Sequence, residues 1–209
     1  MGATATAFLL DNSVRNNLTG NPTNNDSFLM RVGHSYGDFY YNLYFATGLH
    51  LTSYILKSKS LALTGKSLIE SLILGGLASI SIKFIFGRSR PYKEEGNFKF
   101  NFFETENKNN SLPSGHVITA FTTSTILSKS IDNFYISLVL YALSGLTFYQ
   151  RLATDNHWFS DAFIGAALGY FIGEYTYNRN YENMSKGEGP SIIPFLYKDN
   201  FGVNFNYFF

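Results

Sequence analysis

Lys83, Arg90 and Arg151 carry fixed positive charge, His116 and His157 carry imidazoles, Ser114 a hydroxyl and Asp161 a carboxylate. All seven fall within about eighty residues of one another. They sit in three short segments: Lys83-x6-Arg90-Pro91, Pro113-Ser114-Gly115-His116, and Arg151-x5-His157-x3-Asp161. Such a set has the parts for phosphoryl transfer through a histidine. Cations neutralise the phosphoryl oxygens, one imidazole attacks, the other protonates the leaving oxygen, and the carboxylate orients the attacker. His157 and Asp161 stand four positions apart, so a helical turn there places both side chains on one face. An aspartate accepting from one ring nitrogen fixes the tautomer and leaves the other nitrogen's lone pair free. Alone, His-x3-Asp reads as a structural pair, and Pro-Ser-Gly-His as a serine helix cap before a surface histidine. Lys83 and Arg151 have a plain reading too, since cations near helix C-termini offset the dipole by about 0.3–1 kcal/mol. Both, however, end the two most apolar helices expected of the chain, where an unpaired charge is costly. A phosphate dianion would balance them.

The order, spacing and residue types resemble the type 2 phosphatidic acid phosphatase superfamily, which also contains bacterial acid phosphatases, glucose-6-phosphatase and vanadium haloperoxidases. The resemblance covers roughly residues 60–176. It departs at one place, because the family's third motif usually begins Ser-Arg and here it begins Gln150-Arg151. The resemblance implies an all-α bundle of about five or six helices with the site at their ends. It implies His157 as the nucleophile, Asp161 as its orienting partner, and His116 as acid for the leaving oxygen and then base for the hydrolytic water. Lys83, Arg90, Arg151, Ser114 and Gly115 would hold the phosphate. Gly115 lets the backbone approach the oxygens at a helix start, and the planar fork of Arg90 suits two of them. No metal and no cofactor are expected, since the carboxylates are scattered and a histidine nucleophile needs none.

The implied activity is hydrolysis of a phosphomonoester or a pyrophosphate terminus through a phosphohistidine. Family substrates run from lipid phosphates to soluble esters, and the aromatic-rich insertion and tail favour an amphiphile. One rival is a vanadate-dependent haloperoxidase, since the same cradle binds vanadate, although those chains are usually much larger. Another is a non-enzymatic lipid- or partner-binding scaffold, against which the completeness of the motifs speaks. Expected partners are the phosphate ester and a peripheral membrane contact, with no nucleic acid. The expected location is periplasmic or otherwise exported, with membrane association the alternative.

At 209 residues the chain is one domain's length. A net charge of +1 gives no global field to recruit nucleic acid, and the absence of cysteine excludes disulfides and thiolate catalysis. Aromatics are 18% of the chain, yet mean hydropathy is only −0.05. The uncharged stretch Asn133–Gln150 is diluted by Ser137, Tyr141, Ser144 and Thr147, while Lys83 and Glu174 cut two others. These stretches read as helices of a globular core that stays in solution without detergent. Residues 1–10 show neither a basic region nor an apolar run long enough for a signal peptide.

The elements that must position the site follow from punctuation. Residues 1–27 read as a loose arm, 28–178 as the phosphatase-like domain and 179–209 as a tail. A helix is expected over 39–56, then one capped by Thr64 and running through Phe86, with Lys66 and Glu70 paired at i,i+4. Gly87 and Pro91 end it. Residues 92–112 form a polar insertion in which Phe98, Phe100 and Phe102 alternate with polar residues. It reads equally as a lid or as a plain surface loop. Helices follow from Ser114-Gly115 to about Ile131, from an Asp132 or Asn133 cap to about Arg151, and from Ser160 or Asp161 to about Tyr177. Asn178–Pro190 reads as flexible. Val203, Phe205, Tyr207 and Phe209 share one strand face, so a small C-terminal hairpin docked on the domain is expected. Arg88 reads as a surface or pairing residue, His34 and Asp38 as a structural pair, and His50 as a core histidine. Asp155 would shape the pocket and Trp158 would pack beneath it.

Overall fold

A computed structural model describes residues 2–19, 27–104, 106–186, 189–197 and 200–208, with side chains over 6–18, 27–104 and 106–186. Among these residues lie seven helices: α1 (Gly2–Thr19), α2 (Phe28–Tyr36), α3 (Phe39–Leu56), α4 (Lys59–Phe86), α5 (Gly115–Ile131), α6 (Phe134–Ala153) and α7 (Phe159–Lys186). Two strands, β1 (Gly189–Tyr197) and β2 (Asn200–Phe208), follow. The fold is all-α with a small terminal hairpin, as expected. The strands pair antiparallel, with Gly189 opposite Phe208 and Tyr197 opposite Asn200. Phe209 and the strand side chains, on which the shared face and the docking rest, lie outside the described residues.

Local chemistry sets the helix ends. Asp38 Oδ1 accepts from the Tyr40 and Tyr41 amides to start α3, and Asn133 does the same for α6. Ser58, rather than Thr64, caps α4, accepting from the Leu61 amide. The helix therefore starts earlier than expected, and Thr64 is an interior residue bonded to Ser130. α4 stops at Gly87, whose φ is +52° and where a Cβ would lie 1.7 Å from the Asn101 carbonyl oxygen. Both the backbone angle and the space require glycine.

Two flexible segments were expected where the structure has helix. Residues 2–19 form α1, and the cause is Asp11, which is fully buried. It pairs with Arg88 at 2.6 Å and accepts from the Ser160 amide at 2.8 Å, which fixes α1 against α7. At the other end α7 continues past Tyr177 to Lys186 because Arg179 and Asn180 reach back to Glu70 on α4, at 2.6 and 2.7 Å. Glu70 thus bonds to α7 and not, as its spacing suggested, to Lys66.

α5 is the central helix, packed against α4, α6 and α7. Its approach to α7 is close because Gly165, Gly169 and Gly173 form a stripe at helical spacing. A Cβ on these glycines would lie 2.9 Å from the Ser114 oxygen, 2.5 Å from the Ile118 oxygen and 3.0 Å from Thr125 Cβ. Much of the interior is built from small and hydroxylated residues that hydrogen-bond between helices. Thr122 donates to the Gly169 carbonyl, Thr123 to Asn42, and Ser124 meets Ser144. The large apolar residues face outwards: Ile55 is 81% exposed, Phe134 75% and Ile80 66%. This corrects the globular-core reading of these helices. α4 is long and apolar enough to cross a membrane, with mean hydropathy 1.8 over an 18-residue window of which 28% is buried.

Candidate active site

The C-terminal ends of α4 and α6 meet the N-terminal ends of α5 and α7, and every residue singled out by the three motifs is at this junction. Lys83 comes from the last turn of α4, Arg90 from the link after it, and Ser114, Gly115 and His116 from the start of α5. Arg151 comes from the end of α6, His157 from the following loop and Asp161 from the first turn of α7. The insertion 92–112 is held against residues 84–90 by backbone bonds, including Asn101 to Gly87, Ser89 to Lys99 and Arg90 to Lys108. Its carbonyls, and that of Ser111, then orient the site. Lys83 Nζ donates to the Asn110 oxygen at 2.6 Å, Arg90 Nε to the Asn107 oxygen at 2.9 Å, and His157 Nδ1 to the Ser111 oxygen at 2.7 Å.

That last contact corrects the expected His157–Asp161 hydrogen bond. Asp161 Oδ2 lies 3.9 Å from His157 Nδ1. The Asp161 carboxylate is occupied elsewhere, accepting from Arg88 Nη1 at 2.5 Å, from Ser111 Oγ at 2.5 Å and from the Trp158 amide at 2.9 Å. A carbonyl can only accept, so the Ser111 contact places the ring proton on Nδ1 and leaves the Nε2 lone pair free. Asp161 acts through Ser111 and the backbone rather than on the ring. Beneath it Arg88, fully buried, joins Asp161 and Asp11 at 2.5 and 2.6 Å and lies over the Phe8 ring. Arg88 is therefore a pairing residue and is nowhere near the surface. Trp158 packs beneath the site, as expected, and donates to the Ser89 carbonyl. Asp155 pairs with Arg15 of α1 at 2.7 Å.

Gln150, where the chain departs from the expected serine, accepts from Arg151 Nε at 2.7 Å and so aims the guanidinium. Arg151 Nη2 reaches His34 Nδ1 at 3.3 Å. Among the described residues no carboxylate forms an ion pair with Lys83, Arg90 or Arg151, and Asp161 acts on Lys83 and Arg90 only through space. Burial, and then Arg90, pull the Arg151 pKa down to about 10. Burial also holds His157 well below the usual imidazole range, with Lys83, Arg90 and Arg151 adding to it. His116 is pushed down to about 3, first by burial and then by Arg151 and His34. Both imidazoles are neutral at pH 7. Ser114 Oγ and His116 Nε2 are buried without a hydrogen-bond partner among the described residues. Ser114 makes no side-chain cap, so the first amides of α5 stay available to a ligand.

Beside His116 lies a cavity of about 430 Å³ between the start of α3 and the facing sides of α4 and α5. Lys83, Gly115 and His116 line one end of it, and Tyr40, Leu72, Ile80 and Ile118 line its apolar walls. Sequence reasoning did not find Ser111, Arg88, Asp11 or the placement of His34 and Asp38 at the site. Only the second His-x3-Asp spacing hinted at the last two.

The helix ends thus gather two neutral imidazoles, three cations without carboxylate ion pairs among the described residues and the free N-terminus of α5. Residues 64–185 match the PAP2 superfamily, and the chain belongs to it. A lipid A 1-phosphatase of Porphyromonas gingivalis is 32% identical over 119 residues, 54% of this chain and 24% of that protein. The chain thus spans about a quarter of that relative's length. The crystal structure of Aquifex aeolicus LpxE shares the fold, with a TM-score of 0.55 and 23% identity over 81% of this chain and 95% of that one.

Proposed function

We propose that the chain is a metal-independent phosphatase acting on a phosphomonoester or pyrophosphate terminus of an amphiphile, through a covalent phosphohistidine on His157. The observation that carries this reading is the set of three cations without carboxylate partners around a neutral imidazole of fixed tautomer. A phosphate dianion supplies the missing charge. In the reaction, Lys83, Arg90, Arg151, the Ser114 hydroxyl and the first amides of α5 hold the non-bridging oxygens. His157 Nε2 attacks phosphorus while His116 protonates the departing oxygen. His116 then takes a proton from the water that cleaves the N–P bond.

An amphiphilic substrate is supported by the apolar cavity that begins at His116 and Lys83, by the outward apolar faces of α3, α4 and α6, and by the lipid A 1-phosphatase among the relatives. Those faces contact lipid in this reading. Placement of the site outside the cytoplasm rests on the family resemblance alone.

The test is quenched labelling of the unaltered chain, His157→Ala and His116→Ala, with an activated aryl phosphate and a lipid phosphate. His157→Ala gives no phosphoenzyme with either substrate. His116→Ala, which keeps the attacking atom, accumulates an acid-labile, base-stable label on His157 from the aryl ester only. Label on His116 or Ser114 overturns the assignment.

A further inference from the structure

His34 and Asp38 are not used by the reaction just described, yet both stand at His116. The His34 ring stacks on the His116 ring with centroids 5.0 Å apart and an interplanar angle of 28°. A ring nitrogen of each histidine and a carboxylate oxygen of Asp38 lie within 4.8 Å of one another. No direct hydrogen bond among the three groups is seen, and a gap of up to 4.8 Å is one that a single water can bridge. His34 is exposed to solvent, whereas His116 is half-buried and its Nε2 lacks a hydrogen-bond partner among the described residues. The Arg151 contact to His34 Nδ1 leaves the proton of the neutral His34 ring on Nε2. Asp38 is held in place by the two amides it caps.

A general acid working near pH 7 has to acquire a proton before it can give one. In the ligand-free protein His116 is neutral, with Arg151, His34 and Lys83 opposing its protonation and Asp38 favouring it. At His34, burial and then Arg151 oppose protonation, and Asp38 favours it. A bound phosphate dianion counters these cations and draws a proton onto His116, which must come from solvent to a largely enclosed ring.

We propose that His34 and Asp38 form a proton relay for His116, a role that rests on the phosphatase reading above. With phosphate bound, Arg151 turns from His34 Nδ1 to a phosphate oxygen; a hydronium or buffer acid then protonates Nδ1 while the Nε2 proton passes through one water to His116. His116 gives it to the leaving oxygen as that P–O bond breaks and the His157 Nε2–P bond forms. In the second half, His116 takes a proton from the attacking water as its oxygen bonds to phosphorus and the N–P bond breaks. The relay returns that proton to solvent. Asp38 balances the positive charge on whichever ring carries it. Neither residue touches phosphorus, and both act through His116.

The experiment compares His34→Gln, Asp38→Asn and the unaltered full chain in detergent, on an activated aryl phosphate and an alkyl or lipid phosphate. Asparagine caps a helix as well as aspartate, so the second variant removes the charge and keeps the start of α3. For the alkyl ester, kcat falls by about 10–100-fold in either variant with KM held, part of the ~10²–10⁴ that general acid–base catalysis supplies. For the aryl ester, whose leaving group needs no proton, phosphorylation of His157 is nearly unchanged. Added imidazole restores the alkyl rate of His34→Gln, most strongly at pH values where imidazolium is present. Equal losses in the rate of His157 phosphorylation by both esters, a loss carried by KM, or absence of rescue by imidazole each overturns the relay. Variants matching an active, His157-labelling parent overturn the relay alone. A parent that hydrolyses neither ester overturns the phosphatase reading and the relay together.

Discussion

At the scale of residues, the site separates charges that are compensated from charges that are not. Arg88 is locked between two buried carboxylates, whereas Lys83, Arg90 and Arg151 are held only by neutral carbonyls, amides and an imidazole. The two groups should therefore fail differently. Arg88→Ala leaves Asp11 and Asp161 buried without their cation and should cost about 3–5 kcal/mol of stability, seen as a large drop in thermal midpoint. Arg90→Ala and Arg151→Ala should hold the midpoint and lose turnover by roughly 10³-fold or more. The sequence alone reads Arg88 as a surface or pairing residue without naming a partner, because nothing local to it announces partners that lie 73 and 77 residues away. The imidazoles add a pH signature. Their folded-state values lie below the ~6.5 of an unfolded histidine, so in that interval the unfolded chain binds more protons. Stability is full above about pH 6.5 and declines as pH falls towards about 3, the His116 value. Thermal midpoints measured across that range should fall, and His116→Asn should flatten the fall. A midpoint independent of pH would mean the rings are not buried neutral.

Among elements, the glycine stripe of α7 sets the distance between the two halves of the site. Gly169→Ala puts a Cβ 2.5 Å from the backbone oxygen of Ile118, so α7 must move away from α5. Asp161 and the His157 loop move with α7, while Ser114 and His116 stay with α5. Turnover should drop well beyond what the change in melting temperature explains. Gly145→Ala on α6 meets nothing within 4 Å and should stabilise by about 0.4–1 kcal/mol with activity kept. Much of this layer was legible in the sequence. The breaks at Lys57-Ser58, Gly87, Ser114 and Asp132-Asn133 mark real helix ends because capping chemistry is local. The three motifs converge because each stands at such an end. What could not be read is the partner each end finds: Ser111 instead of Asp161 for His157, Asp11 for Arg88, and His34 for His116. Residues 2–19 look like a polar arm because Asp11, the buried residue that ties them to α7, is an ordinary residue until Arg88 is placed beside it.

For the whole molecule, many small hydroxylated residues lie inside beside two apolar clusters, while an unusually large set of Tyr, Phe, Ile and Leu side chains faces outwards. Hydropathy averaging hid it, since the buried Ser, Thr and Gly residues dilute helices whose outer faces are Tyr, Phe, Ile and Leu. On the reading proposed above these faces meet lipid, against the expectation of a chain that is soluble without detergent. Expressed protein should sediment with membranes, resist carbonate and high-salt washing, and require detergent for release. Recovery in the supernatant after such washing would restore the globular reading. Tyr40 and Ile80, both exposed, also line the cavity that ends at His116 and Lys83. A substrate reaching the site from the surrounding lipid is therefore met in two dimensions rather than three. Its effective concentration is its mole fraction among neighbouring lipids. Turnover should then fall when inert lipid or detergent is added at constant total substrate, and should depend little on the volume of water around the particle.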